Sequence, residues 1–390
     1  VRTVRFMDES FTTLILYLTV ESVAIYILFC VDSTVSEKKR LLIQQGKTSA
    51  IRPRETIIMQ RHICFVASFF ILFALSALRD NIGWDYGEYI GVYYYTSPPS
   101  APFSFRLNAW LAPGFVFICK MLGYIDPRNY YLMFATVAFL TLRLIFKAIY
   151  KMSCDWAMSL YLFVSFCIYY QSFNQIRQVL ALSVTTYAMY FLTQNNVKKY
   201  LFYVFIAFLC HNSAIIMAGM CIIYKWRINV WNLLMYLGIC VLSQIGYIIV
   251  ARILGSLPYG GYLNSGYGEA GKLATILKSG AEFVMLIGCL IFSKRTIKRS
   301  PHTVVFYNAV LVCFIFRVLS MRAFIISRLT LYFQPAYFFL MPEVLKSAGE
   351  CFDRISMRLL KLFFVFMFLI YHIFYYFNSW YQPYKMINLF

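Results

Sequence analysis

Tyr169-Tyr170-Gln171-Ser172-Phe173-Asn174-Gln175-Ile176-Arg177-Gln178 is a polar knot between two apolar runs, Ala157–Tyr170 and Val179–Leu192. The two runs are long enough together to cross a bilayer twice, at about 20 residues per crossing. Asn174, Arg177 and Gln178 stand at i, i+3 and i+4, so a helix puts them on one face. An arginine among membrane helices costs about 2.5–3.5 kcal/mol at the bilayer centre on insertion scales. Arg177 therefore needs a membrane surface, a structural partner or a bound anion.

The surrounding chain is of the same kind. Of 390 residues, 61% are hydrophobic and 13% charged. Apolar runs of about 20 residues recur without the two-residue alternation of a barrel strand. The expected fold is all-α, a polytopic transmembrane bundle of about twelve helices in one domain spanning residues 1–390. No polar stretch reaches the ~50 residues of a separate soluble domain. The formal net charge of +20 is accounted for mostly by basic cytoplasmic loops, and no soluble basic surface exists to take nucleic acid. The eleven cysteines lie in or beside apolar runs, with no C-x-x-C pair and no metal-ligand spacing, and read as small core residues.

Phe11–Val31 reads as a retained first helix and His62–Leu78 as the second, separated by a basic segment that includes Lys38, Lys39, Arg40 and Arg52. The loop after the second helix, with Asp80, Asp85 and Glu88, should face outward. Further helices are expected near Leu107–Tyr124, Tyr130–Ile149, Tyr200–Tyr224, Val230–Val250, Ser279–Phe292, Thr303–Ser320, Leu329–Leu345 and Leu359–Phe377. A plain alternation of twelve spans leaves Lys147, Lys151, Lys198 and Lys199 outside and Arg177 inside, against the positive-inside rule. The conflict goes if Leu107–Tyr124, which carries Pro113 and Gly114, is re-entrant or interfacial, provided a compensating change falls within residues 200–278. That second arrangement is preferred.

Four polar clusters stand out. The first, Arg79-Asp80-Asn81-Ile82-Gly83-Trp84-Asp85-Tyr86-Gly87-Glu88-Tyr89, is either a solvated loop or a site in which Asp85 serves as base or sugar ligand. The knot is the second, with Arg177 either snorkelling to water or presenting its planar fork to a phosphate. In the third, Cys210-His211-Asn212-Ser213-Ala214, a helix places Ala207, Cys210, His211, Ala214 and Ala218 on one small-residue face, so His211 is either an interhelical packing residue or an acid, base or phosphate ligand. The fourth is Ser327-Arg328-Leu329-Thr330-Leu331-Tyr332-Phe333 with Arg322, where basic residues at an outer boundary invite an anion or snorkel, and Arg317 could supplement them. Glu21, Arg143 and Glu282 read as ion pairs or pathway residues. No nucleotide-binding glycine loop, H-E-x-x-H or G-x-S-x-G turn is present.

In order, Arg79…Gly83-x-Asp85-Tyr86, Ser172-Phe173-Asn174-x-Ile176-Arg177-Gln178, His211-x-Ser213-Ala214 and Ser327-Arg328-x4-Phe333 resemble the EpsG family, membrane proteins of the Wzy-like polysaccharide polymerase group. The resemblance runs from the second helix onward. Trp84 and Cys210 depart from the more usual residues at their positions, without removing a charge.

The resemblance implies a multi-pass enzyme of the bacterial inner membrane. It would join undecaprenyl-diphosphate-linked oligosaccharide repeat units for O-antigen, capsule or exopolysaccharide, and it admits a chain-length regulator protein as a partner. It implies Asp85, Arg177, His211 and Arg328 as catalytic residues, and Arg79, Tyr86, Asn174, Gln178 and Arg322 as substrate-binding ones. Asp85 or His211 would take the acceptor proton, or His211 would bind the diphosphate. Neither a metal nor another cofactor is called for if arginines carry the phosphate charge. A flippase or other transporter, and a different membrane glycosyltransferase or ligase, are the competing readings.

Overall fold

In lipid no water is available to satisfy backbone N–H and C=O groups, so a chain this apolar must close its hydrogen bonds within helices. The computed structural model describes residues 10–30, 55–101, 112–246, 249, 252, 272–322, 326–377 and 383–387. Those residues are helical nearly throughout. In place of a sheet there is an isolated antiparallel bridge between Arg79 and Met386.

The elements are α1 (Ser10–Cys30), α2 (Glu55–Ala77), α3 (Tyr86–Thr96), α4 (Pro113–Gly123), α5 (Tyr131–Met152), α6 (Trp156–Ser165), α7 (Ile168–Asn174), α8 (Ile176–Thr193) and α9 (Val197–Cys210). A 3-10 helix (Asn212–Gly219) and α10 (Met220–Ile223) follow, then α11 (Val230–Ile245), α12 (Lys272–Ile291), α13 (Ser293–Arg299), α14 (Thr303–Ser320), α15 (Ser327–Phe333), α16 (Ala336–Ala348) and α17 (Arg354–Phe377). Among the described residues, 5 helices are long and apolar enough to cross a membrane by themselves: α1, α2, α5, α14 and α17. Helix length alone therefore does not establish the expected twelve, because other segments that run the length of the bundle are short or broken.

The breaks have local causes. Between α6 and α7, Cys167 takes a left-handed conformation, φ 61°. Pro335 separates α15 from α16, so the expected helix Leu329–Leu345 is two pieces; proline has no N–H to donate and its ring crowds the preceding turn. At His211 the backbone is extended, φ −157° and ψ 122°. The chain reverses there, and Tyr200, near the start of α9, donates its hydroxyl to the carbonyl of Met217 at 2.6 Å. The single helix expected over Tyr200–Tyr224 is thus a hairpin, and its small-residue face does not form.

Helix α8 is the centre of the bundle, with every residue from Ile176 to Met189 buried and α5 and α9 as its principal neighbours. Its Ser183, Thr185 and Thr186 hydroxyls donate to carbonyls of the preceding turn at 2.7–2.9 Å, which satisfies them without a partner helix. A buried ion pair holds the other half of the bundle. Arg317 of α14 meets Glu282 of α12 through two hydrogen bonds of 2.7 and 3.0 Å, and Gln334 adds a third at 2.7 Å. Removing one partner of such a pair costs about 3–5 kcal/mol. Arg317 and Glu282 are accordingly structural partners of each other, and Arg143 is exposed.

The two ends of the bundle differ in charge. At one end the C-termini of α5 and α8 meet the start of α14 and the middle of α16, around Lys151, Gln194, His302 and Glu343. Lys147, Lys198, Lys199, Arg299 and Lys346 belong to the same end, where Arg299 pairs with Glu350 at 2.8 Å. The positive-inside rule makes this the cytoplasmic end. The opposite end carries the carboxylates Asp80, Asp85, Glu88 and Asp126, interleaved with Arg79, Lys120, Arg128, Arg177 and Arg328.

Helices α3 and α4 stay at the end that carries these carboxylates. Each has 11 residues, about 16 Å at 1.5 Å per residue, roughly half a hydrocarbon core of about 30 Å. The segment starts beside Asp80 and returns to it, since Tyr131 at the head of α5 donates its hydroxyl to Asp80 Oδ1 at 3.2 Å. Within it, Tyr93 donates to the Asp126 carbonyl at 2.7 Å, and a Cβ on Gly123 would lie 1.8 Å from the Ser97 carbonyl oxygen. Lys120 turns its ammonium onto the carbonyls of Pro98, Pro99 and Ala101, so this outer lysine caps a loop. The described part of the expected helix Leu107–Tyr124, Pro113–Gly123, is therefore too short to span, as the second arrangement requires, while residues 107–111 lie outside the described residues; the reversal at His211 supplies the compensating change. Lys147, Lys151, Lys198 and Lys199 then all lie at the basic end.

With exposed Cys351 replaced by serine, Ile125→Cys should react with a membrane-impermeant maleimide in intact spheroplasts, and Lys199→Cys only in inverted vesicles. Labelling of Ile125→Cys from the cytoplasmic side alone would mean that α4 crosses the membrane.

Candidate functional site

The site forms where the loop after α2 lies on the knot. Gly83 has φ +106°, a region side chains rarely adopt, and a Cβ there would sit 2.7 Å from the Phe173 carbonyl oxygen. Only glycine lets the two backbones approach this closely. One residue further, the Asn174 side chain accepts the backbone N–H of Asp85 at 2.8 Å. Asp85 is the N-cap of α3 and makes no side-chain cap bond of its own. The knot thus accepts, from 89 residues away, the backbone N–H of the residue that opens α3.

Arg177 opens the central helix α8 and is 5% exposed. Its guanidinium lies 5.7 Å from the Tyr89 ring and 5.8 Å from the Phe115 ring, so α3 and α4 wall it in. Gln178 beside it donates from Nε2 to the Arg328 carbonyl at 2.7 Å, fixing the start of α15 against α8. His211 sits at its chain reversal with Nδ1 2.7 Å from Ser213 Oγ, which is 2.9 Å from the Tyr332 hydroxyl of α15. A Cβ on Gly114 would lie 2.9 Å from the Leu209 carbonyl oxygen, so α4 abuts the end of α9 just below His211.

Electrostatics join these pieces. Arg328 and Arg177 act on both Asp85 and His211. Asp85 lies in the link before α3, outside the membrane-crossing helices. Burial raises its carboxyl above the ordinary range, Arg328 and then Arg177 pull it back, and Glu88 adds to the rise. The result is two acidic groups, Asp85 and Glu88, in the field of two guanidinium groups that also act on the imidazole of His211, at the end of the bundle opposite the basic loops.

Other expected site residues are placed differently. Arg79 is 1% exposed, lies 5.1 Å from the Phe134 ring and 4.9 Å from the Phe173 ring, and donates from Nη1 to the Ser76 carbonyl. It is a pin beneath the loop. Tyr86 stacks on Phe134 with centroids 4.3 Å apart and donates its hydroxyl to Asp80 at 3.3 Å. Arg322 is exposed and donates from Nε to Gln244 Oε1 at 3.2 Å, so its head is tied to α11. The structure thus brings together Asp85, Asn174, Arg177, Gln178, His211 and Arg328, sets Arg79 and Tyr86 under the loop, and leaves Arg322 apart from them.

Tyr332 was legible only as part of a quoted cluster. Its partner Ser213 is 119 residues away, and no spacing rule links the two. His372 is a deeply buried histidine within α17, with Nε2 3.5 Å from Glu21 Oε2 and Nδ1 3.5 Å from Cys167 Sγ. That contact ties α1 and α17 to the break before α7. Among the described residues no group of three or more His, Cys, Asp or Glu side chains is arranged to hold a metal.

An all-helical membrane protein with a polar site at one end of the bundle is the class that this architecture defines. The model of the EpsG family matches residues 62–388, and the chain belongs to that family, which makes it a membrane protein of polysaccharide biosynthesis. No curated protein and no solved structure matches it.

Gly83→Ala should lower the melting temperature of the purified protein, because strain at positive φ costs about 1–3 kcal/mol. Gly87→Ala is the control: its Cβ meets nothing within 4 Å, and alanine in a helix is favoured by about 0.5–1 kcal/mol. Equal melting temperatures for the two variants would refute the docking of loop on knot.

Proposed function

We propose that the protein is a repeat-unit polymerase of the bacterial inner membrane, which transfers a growing glycan from undecaprenyl diphosphate to a hydroxyl of the next lipid-linked unit. The observation that carries this reading is the chain of contacts that gathers four groups at one end of the bundle: the Asp85 N–H on Asn174, Arg177 three residues on at the head of α8, Gln178 on the Arg328 carbonyl, and His211 joined through Ser213 to Tyr332 of α15. The bond from the sugar C1 to the diphosphate oxygen breaks, and its electron pair leaves with the undecaprenyl diphosphate. A bond from the acceptor oxygen to C1 forms, and the acceptor proton passes to Asp85. Arg177 and Arg328 stabilise the charge gathering on the leaving diphosphate. Fixed donors in a site sheltered from water are worth about 2.7–4 kcal/mol in such a role.

Asp85 suits the base because burial keeps its carboxylate reactive above the ordinary pH range, and the capped loop holds it still. His211 has Nδ1 engaged by Ser213 and would bind the diphosphate through Nε2. Gln178 and Asn174 act by holding Arg328 and Asp85 in place. The exposed indole of Trp84, next to Asp85, offers a face on which a sugar ring can stack. The end of the bundle opposite the basic loops is the periplasmic side, where lipid-linked units would be joined.

Arg177→Ala should lower long-chain polymer by about 10²–10³-fold while single lipid-linked units still reach the periplasm. Normal chain-length ladders at normal expression would overturn the reading. The rate should rise with pH as Asp85 loses its proton, with an acid limb above that of an ordinary carboxylate. Glu88→Gln removes a neighbouring negative charge and should move that limb to lower pH, measured with purified protein and a defined lipid-linked unit.

A further inference from the structure

A second polar cavity lies at the opposite, basic end, and nothing in the proposed transfer reaction uses it. It measures about 200 Å³ and is lined by Lys151, Ser153, Cys154, Thr193, Gln194, His302 and Glu343, with Met152 the only purely apolar contributor. Its charges are ordered by depth. Glu343 is 5% exposed and accepts a bond from Ser300 at 3.0 Å, while Lys151 and His302 are exposed at the rim.

Helices α5 and α8 end there with partly negative C-termini, which favour a cation at the floor. At the start of α14 the N–H groups of Thr303, Val304 and Val305 bond to the carbonyls of Ser300, Pro301 and His302 at 3.0–3.3 Å, so an anion at the rim would be met by the Lys151 and His302 side chains and not by the helix end. A ligand that suits the cavity carries a compact cation ahead of a phosphate. Free inorganic anions match only the rim, and a simple amine matches only the floor.

We propose that this cavity is a headgroup site for a zwitterionic aminophospholipid of the cytoplasmic leaflet, with the ammonium on Glu343 and the phosphate at Lys151 and His302. The volume accommodates a phosphoethanolamine group, and the site stands where the positive-inside rule puts the inner membrane face. Bound lipid would tie α5, α8, α14 and α16 together at the end of the bundle away from the transfer site. The inference does not depend on the reaction proposed above.

Native mass spectrometry of the purified full-length protein tests it, using short-chain phosphatidylethanolamine and phosphatidylglycerol in equal amounts, with free phosphoethanolamine as a separate arm. The expected result is preferential retention of phosphatidylethanolamine, with competition by free phosphoethanolamine. Lys151→Glu and Glu343→Gln should each weaken retention about tenfold, since a hydrogen bond to a charged group is worth about 1.5–3 kcal/mol. Lys151 is exposed, so its variant reports on binding even if Glu343→Gln fails to fold. Equal retention of the two lipids, or undiminished preference in Lys151→Glu, would overturn the proposal.

Discussion

The contact between Gly83 and the Phe173 carbonyl, with the Asp85 N–H donated to Asn174 one residue further on, is the constraint on which the end that carries Asp85 depends. It joins the first outer loop to the knot between α7 and α8. Without it, the start of α3 would have no fixed seat, and the aromatic wall that α3 and α4 raise around Arg177 would lose one side. The bond also orders the site: Asp85 is held by the helix turn that precedes Arg177, so its carboxyl and the guanidinium are set relative to each other by a few backbone atoms. Gln178 extends the same logic to Arg328 across 150 residues.

Much of this was legible from particular residues. Thr303–Ser320 was read with its observed ends, because an apolar run bounded by Pro301 and a polar exit leaves few alternatives. Pro113 and Gly114 marked the segment that does not cross, and the lysines flanking α5 and α9 showed that a simple alternation of spans had the wrong parity. The family resemblance pointed to Asp85, Arg177, His211 and Arg328 together, and these are the groups that the fold brings to one place.

The rest was hidden for physical reasons. A broken helix and a whole one have the same apolar composition, so the reversal at His211 left no trace in hydropathy. Nor did the left-handed turn at Cys167, which depends on what packs around it. Arg79 and Arg322 looked like members of the site because charge is visible in a sequence and direction is not. One points under the loop to a carbonyl of its own helix end, and the other reaches α11. His372 was hidden in the opposite sense, since a histidine five residues from a helix terminus gives no sign that a glutamate from the first helix will meet it.

The 3-10 helix after His211 adds a mechanical property. Its 8 residues rise about 2.0 Å each, against about 1.5 Å in an α-helix. The same residues wound as α-helix would be about 4 Å shorter. The segment is therefore held extended, with His211 at one end and α10 at the other. Each residue rewound as α-helix would draw the two ends together by about 0.5 Å, and rewinding all 8 by about 4 Å, more than the length of a hydrogen bond.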